Sequence, residues 1–187
     1  EFRRLISKGF TPRKAEDMTE DISAFVESAI NRIKELETCD IISELFKPLP
    51  SFVVSKYLGV PASDRVVFDT WTEKIVAGAI HNEENEGLEA IYEVTNYFTE
   101  LIEWRKKTPG DDLISELIEM GEEKVSIMWI LGLAFTMIAG GNDTTTGLLG
   151  GSAVLLSENP DQRKLLSEDL RLLPGAIEEL LRMTSPV

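Results

Sequence analysis

The residues best suited to chemistry sit together in AGGNDTTT, Ala139 to Thr146. Asp143 beside Thr144 offers a carboxyl and a hydroxyl at one spot, the groups that a proton relay needs. Gly140 and Gly141 remove side chains from one face, so a flat ligand can approach the backbone closely. Other reactive types are sparse. Cys39 is the only cysteine and His81 the only histidine. One cysteine excludes an internal disulfide framework and any multi-cysteine zinc or iron–sulfur site. Cys39 has no glycine-rich loop around it and reads as a small structural residue. His81 lies in the polar connector HNEENEG, His81 to Gly87, where an exposed loop position is expected. Glu179 and Arg182 are spaced for a helical i,i+3 ion pair.

Composition narrows the partners. The chain has 187 residues, 43% of them hydrophobic, enough for one sizeable core. Its net charge of -14 argues against nucleic acid, since phosphate binding needs a basic surface. The charge is uneven. Arg3, Arg4, Lys8, Arg13 and Lys14 face only Glu1 within residues 1–14, a local +4 on an acidic body. Such a patch suits an anionic partner, although a solvated helix explains it equally well. The single cysteine and the lack of a signal peptide fit the cytoplasm. Both ends lie close against patterned segments, as in a piece of a longer protein.

The elements that must position these residues are helices. Met18, Ile22, Phe25, Val26, Ala29, Ile30, Ile33 and Leu36 recur at three- and four-residue steps and mark an amphipathic helix. A short helix ending before Pro12 is expected ahead of it, and a short strand over Thr38 to Ile42 after it. Pro48 and Pro50 punctuate a loop before a helix from Phe52 to Leu58. Further helices are expected from Ala62 to about Ala79, from Leu88 to about Lys106, and from an Asp111 cap to Met120. Two more are expected near Asp161–Leu166 and Gly175–Met183. Trp71, Phe68, Ile75, Val76 and Ile80 share a helix face and read as core. Met128 and Trp129 are expected to pack. The fold class is mainly α, in one body with short connections.

Val125 to about Leu156 is nearly all apolar, about nine turns if unbroken. Its most apolar stretch, Ile127 to Ala139, is too short for a membrane span, which needs about 20 residues. A buried core helix is expected. GGNDTTT weakens its middle, because each glycine costs about 1 kcal/mol relative to alanine. The threonines can also bond back to the preceding turn. Two readings stand: a functional kink between Gly140 and Thr145, or a loop with Asp143 as the N-cap of a second helix.

At GGNDTT the chain resembles the cytochrome P450 family, soluble bacterial type. Gly140, Gly141, Asn142, Asp143, Thr144 and Thr145 match the oxygen-activating motif [AG]-G-x-[DE]-T-[TS] in order. KGFTPR (Lys8 to Arg13), PLPSFVVSKYLGVPASD (Pro48 to Asp64), PGAIEELLR (Pro174 to Arg182) and TSPV (Thr184 to Val187) resemble further family segments, in order. The resemblance covers essentially the whole chain, as one partial domain, residues 1–187, from the family's third helix through its E-x-x-R helix.

The resemblance implies a haem-thiolate monooxygenase. It would activate dioxygen with electrons from a ferredoxin-type donor and hydroxylate or epoxidise a small hydrophobic organic substrate. Asp143 and Thr144 would be catalytic, relaying protons. Ala139, Gly140 and Gly141 would lie against the haem, Arg3 would bind a propionate, and Val187 would touch the haem edge. Glu179 and Arg182 would form a buried structural ion pair. The thiolate ligand belongs to an F-x-x-G-x-x-x-C-x-G loop downstream of E-x-x-R, outside this chain, so the fragment alone is expected to be inactive. The alternative is a non-catalytic helical ligand-binding or regulatory module.

Overall fold

The computed structural model describes residues 10–81 and 84–186, without the side chains of Val66, Asp69, Val76, Ala79, Ile80, His81 and Glu84. Arg3 and Val187 lie outside the described residues, as does most of the basic N-terminal patch. Ten α-helices are described: α1 Pro12–Asp17, α2 Thr19–Lys34, α3 Pro48–Tyr57, α4 Val66–His81, α5 Glu84–Lys107, α6 Leu113–Glu119, α7 Ile127–Gly141, α8 Asp143–Glu158, α9 Pro160–Glu168 and α10 Leu173–Thr184. No strand occurs among the described residues. The mainly α reading holds.

Several local expectations give way. Thr38 to Ile42 forms no strand. Asp40 instead accepts hydrogen bonds from the Ile42 N–H (3.0 Å) and the Ser43 hydroxyl (2.7 Å), which turns the chain into a π-helical turn, Ile42–Phe46. Pro48 and Pro50 are inside α3, not in a loop. Proline is tolerated in a helix's first turn, where its missing N–H leaves no bond broken. The segment from Glu84 to Gly87 belongs to α5 rather than to a polar connector. Asp112, not Asp111, caps α6, its carboxylate accepting from the Ser115 N–H at 2.9 Å. A helix also starts at Pro12, where the sequence suggested only an end.

The core lies where the antiparallel α4–α5 hairpin meets α3, α6 and α7. Ala90, Val94, Phe98, Leu101 and Ile102 form the buried stripe of α5, and Ile130, Leu133, Ala134 and Ile138 that of α7. Both follow the three- and four-residue spacing of a helix face. Phe68 and Trp71, expected as core, are buried. Their rings join those of Tyr97 and Phe98 at centroid distances of 5.3–6.2 Å. Polar pairs fix the register of the hairpin: Trp71 Nε1 donates to Glu93 (2.9 Å) and Tyr97 Oη to Asp64 (2.8 Å). The Tyr97 hydroxyl is pushed well above the ordinary phenol range, mainly by burial and then by the Asp64 carboxylate. Near the hairpin tip, a Cβ on Gly87 would meet the Gly78 backbone at 3.2 Å, so the absence of a side chain allows close approach.

The C-terminal third is dressed differently. No residue of α8, α9 or α10 is buried. Leu165, Leu170, Ile177 and Met183 all present apolar surface. Met128 and Trp129, expected to pack, are also exposed (75% and 52%) because they sit on the outer side of the first turn of α7.

Candidate active site at the break in the central helix

The central helix is interrupted but does not become a loop. Asn142 lies between α7 and α8 with φ -85° and ψ -57°, still right-handed helical. Asp143 is the first residue of α8, and no side chain caps that helix. This favours the kink over the capped loop and places it at Asn142. The Thr146 N–H donates to the Asn142 carbonyl (3.0 Å), which starts the new helix. Thr144 Oγ1 donates to the Gly140 carbonyl (2.9 Å) and so spans the break. Back-bonding by a helical threonine bends a helix, which gives the weak middle turns a physical cause.

The two glycines do different work. A Cβ on Gly140 would meet nothing within 4 Å, so this face of the helix is open. A Cβ on Gly141 would stand 3.1 Å from Val54 Cγ2, so Gly141 lets α7 pack against α3. Ala139 is half-buried. The face at Gly140 thus fits a flat group lying against the helix, as a haem would, while Gly141 serves packing. Nearby ligands for a metal are lacking: among the described residues no group of three or more His, Cys, Asp or Glu could hold an ion. Cys39 is a free, exposed thiol in the segment before the π-helical turn.

Asp143 is exposed, but its surroundings are not simple water. Partial burial raises its carboxyl above the ordinary range, Lys47 opposes that shift, and Glu73 adds to it. Lys47, just before α3, pairs with Glu73 of α4. A proton-relay acid gains from a raised value, because it can carry a proton nearer neutral pH. The stability consequence has a definite sign. Folding favours the neutral carboxyl, so the contribution of Asp143 to stability is lost as pH rises from 3.8 through the raised value. Asp143→Asn is therefore expected to melt slightly higher than the parent at pH 7. The difference should vanish below pH 3.8, where the parent carboxyl is neutral too. A melting series over pH checks this.

Asn142 fills the unspecified position x of the motif, and no role follows for it from the sequence. It is 3% exposed, and its Nδ2 donates to Thr72 Oγ1 of α4 at 2.8 Å. Its Oδ1 is buried without a partner. An amide amid small and apolar residues on a buried helix was the available signal, since buried polar groups require partners.

Glu179 and Arg182 do pair on α10, with two contacts of 2.7 and 2.8 Å. The pair is exposed (55% and 69%) rather than buried as the resemblance implies, since no described element covers that face of α10. An apolar groove lined by Leu155, Leu156, Leu166, Leu180 and Met183 lies between α8, α9 and α10. Leu155 is eleven residues beyond Thr144, about 16 Å along the helix, so this groove is separate from the break.

Comparison with known proteins identifies the architecture. No family model matches the chain. Relatives and solved structures agree closely, however. Cytochrome P450 130 of Mycobacterium tuberculosis is 47% identical across 100% of this chain and 47% of its own length. Cytochrome P450 107B1 of Saccharopolyspora erythraea is 36% identical over 99% of this chain and 45% of its own. The structure of the polyketide synthase cytochrome P450 PksS from Bacillus subtilis superimposes with a TM-score of 0.91 at 33% identity. That match covers 99% of this chain and 48% of the other. The helical fold is thus shared with solved cytochrome P450 structures. The chain belongs to the cytochrome P450 family, and it spans about half the length of the curated relatives it matches.

Proposed function

We propose that the protein carrying this chain is a haem-thiolate monooxygenase. One dioxygen, two electrons and two protons would convert a substrate C–H to C–OH, or a C=C to an epoxide, and release one water. The observation that carries this reading is Thr144 spanning the break beside Asp143, with an open helix face at Gly140. Bound haem would supply the oxidising chemistry, held against Ala139 and Gly140, with Arg3 and Val187 assigned to its periphery by resemblance. The protein's own part is proton supply. Asp143 takes protons at the exposed side. The Thr144 hydroxyl donates to the Gly140 carbonyl and keeps lone pairs free to accept. Passing a proton inward requires that hydroxyl to rotate away from Gly140.

A small hydrophobic substrate is supported by the relatives. Vitamin D(3) 25-hydroxylase of Pseudonocardia autotrophica and the steroid C26-monooxygenase of Mycobacterium tuberculosis are 30% and 34% identical to this chain. Solved relatives hold testosterone and myristic acid. We assign the electron donor to the ferredoxin type and the setting to the cytoplasm. No described helix is long and apolar enough to cross a membrane. Lys14 of the basic patch pairs with Glu116, and Arg13 stays exposed, which leaves Arg13 as the described residue available for docking. Nothing in the comparisons favours a non-catalytic binding module.

Isotope labelling tests the proposal. A protein of full family length, supplied with a ferredoxin, its reductase and 18O2, is expected to convert testosterone or myristic acid to a product with one 18O atom. Oxygen drawn only from water would overturn the monooxygenase reading.

A further inference from the structure

The break is tied to α4 by a hydrogen-bonded chain that its helical neighbours do not require. Asn142 Nδ2 donates to Thr72 Oγ1 (2.8 Å), and Thr72 Oγ1 donates to the Phe68 carbonyl (3.1 Å). The same hydroxyl lies 3.5 Å from the Ile138 carbonyl, just before the break. Thr72 and Asn142 are 2% and 3% exposed, and they are 70 residues apart in sequence. As packing, this arrangement is poor. It leaves Asn142 Oδ1 buried and unpartnered, whereas two apolar residues of the same shape would fill the space with no unmet acceptor. The amide does, however, fix a direction. It anchors the residue that joins α7 to α8, two positions from both Gly140 and Thr144.

We propose that Asn142 and Thr72 are positioning residues, a clasp that sets the geometry of the break from α4. Thr144 and the Gly140 carbonyl then stand where they do because α4 holds Asn142. A displacement of α4 then reaches the proton-relay pair through this hydrogen bond as well as through the packing of α4 on α7. The proposal rests on the family reading, in which Gly140 faces the haem.

The test uses the reduced, carbon monoxide-bound form of a protein of full family length, with infrared spectroscopy of the C–O stretch. That band senses groups beside the bound diatomic and needs neither substrate nor turnover. Thr72→Val and Asn142→Leu are each expected to shift the band or to add a second one. Thr72→Ser, which keeps the hydroxyl, should restore the parent band. Thr72→Val leaves the Asn142 amide without its acceptor and loses stability, so the double variant Thr72→Val/Asn142→Leu supplies the decisive case. It is expected to melt close to the parent yet retain the shifted band. An unchanged band in the double variant would reduce the clasp to packing and overturn the proposal. Absence of a thiolate-type absorption shift in the parent would instead defeat the family reading, so the two failures are distinguishable.

Discussion

Thr144→Ala, in a protein of full family length, is expected to divert electrons from product to hydrogen peroxide. Proton transfer by a positioned side chain is worth roughly 10²- to 10⁴-fold. Water entering the vacated space can replace part of that, so product per electron should fall about tenfold, below that range. Dioxygen that takes two electrons and two protons without cleavage leaves as peroxide, so lost product should reappear as peroxide. The structural cost is small. The Thr144 hydroxyl donates to the Gly140 carbonyl, and the residue is only half-buried. Losing such a bond costs about 1 kcal/mol. Melting should hardly change while coupling collapses. Thr144→Ser keeps the hydroxyl and should retain most coupling. Parallel assays of electron use, product and peroxide check the expectation, and unchanged coupling in Thr144→Ala would remove the residue from the relay.

The largest effect on stability is expected far from the break. Arg105 and Asp112 meet at 2.9 Å, Nε to Oδ2, with side chains only 13% and 3% exposed. The contact is charge attraction without hydrogen-bond alignment, for neither atom has a bonded partner. Arg105 also donates to the Gly59 carbonyl (2.8 Å) and stacks on Trp104 (4.3 Å). Asp112 caps α6. Gly59 holds φ +74°, and a Cβ there would lie 2.3 Å from Asp112 Cγ, so the carboxylate is pinned between chain segments. Removing one partner of a buried pair costs about 3–5 kcal/mol, because the other charge stays behind unpaired. Asp112→Ala is expected to lose that much in urea unfolding, including about 1 kcal/mol for the cap. Arg105→Met/Asp112→Leu together should lose less than Asp112→Ala alone. A loss under 1 kcal/mol for Asp112→Ala would show that water already shields the pair.

The sequence was most legible where periodicity and motif agreed. The apolar spacing of α2 and the long apolar run of α7 announce helices, and GGNDTT announces the break. What stayed hidden depends on tertiary partners. Asn142 occupies the variable position of its motif, and nothing local reveals that Thr72, 70 residues away, receives its amide. Pro48 carries a turn propensity that its place in the first turn of α3 overrides, whereas Glu84 is itself a good helix former inside a segment that polarity alone marks as a connector. Gly140 and Gly141 look equivalent in sequence, yet one faces open space and the other Val54. Glu179 and Arg182 could be paired from spacing, but their exposure follows from which elements surround α10.

The claim that Asp143 and Thr144 serve oxygen chemistry at a haem depends first on a thiolate-bound haem in the intact protein. The direct measurement is the absorption difference spectrum of the reduced protein of full family length with and without carbon monoxide. Thiolate ligation predicts a red-shifted absorption band on addition of carbon monoxide to the reduced protein. A haem protein lacking that band, or a protein that takes up no haem, would contradict it.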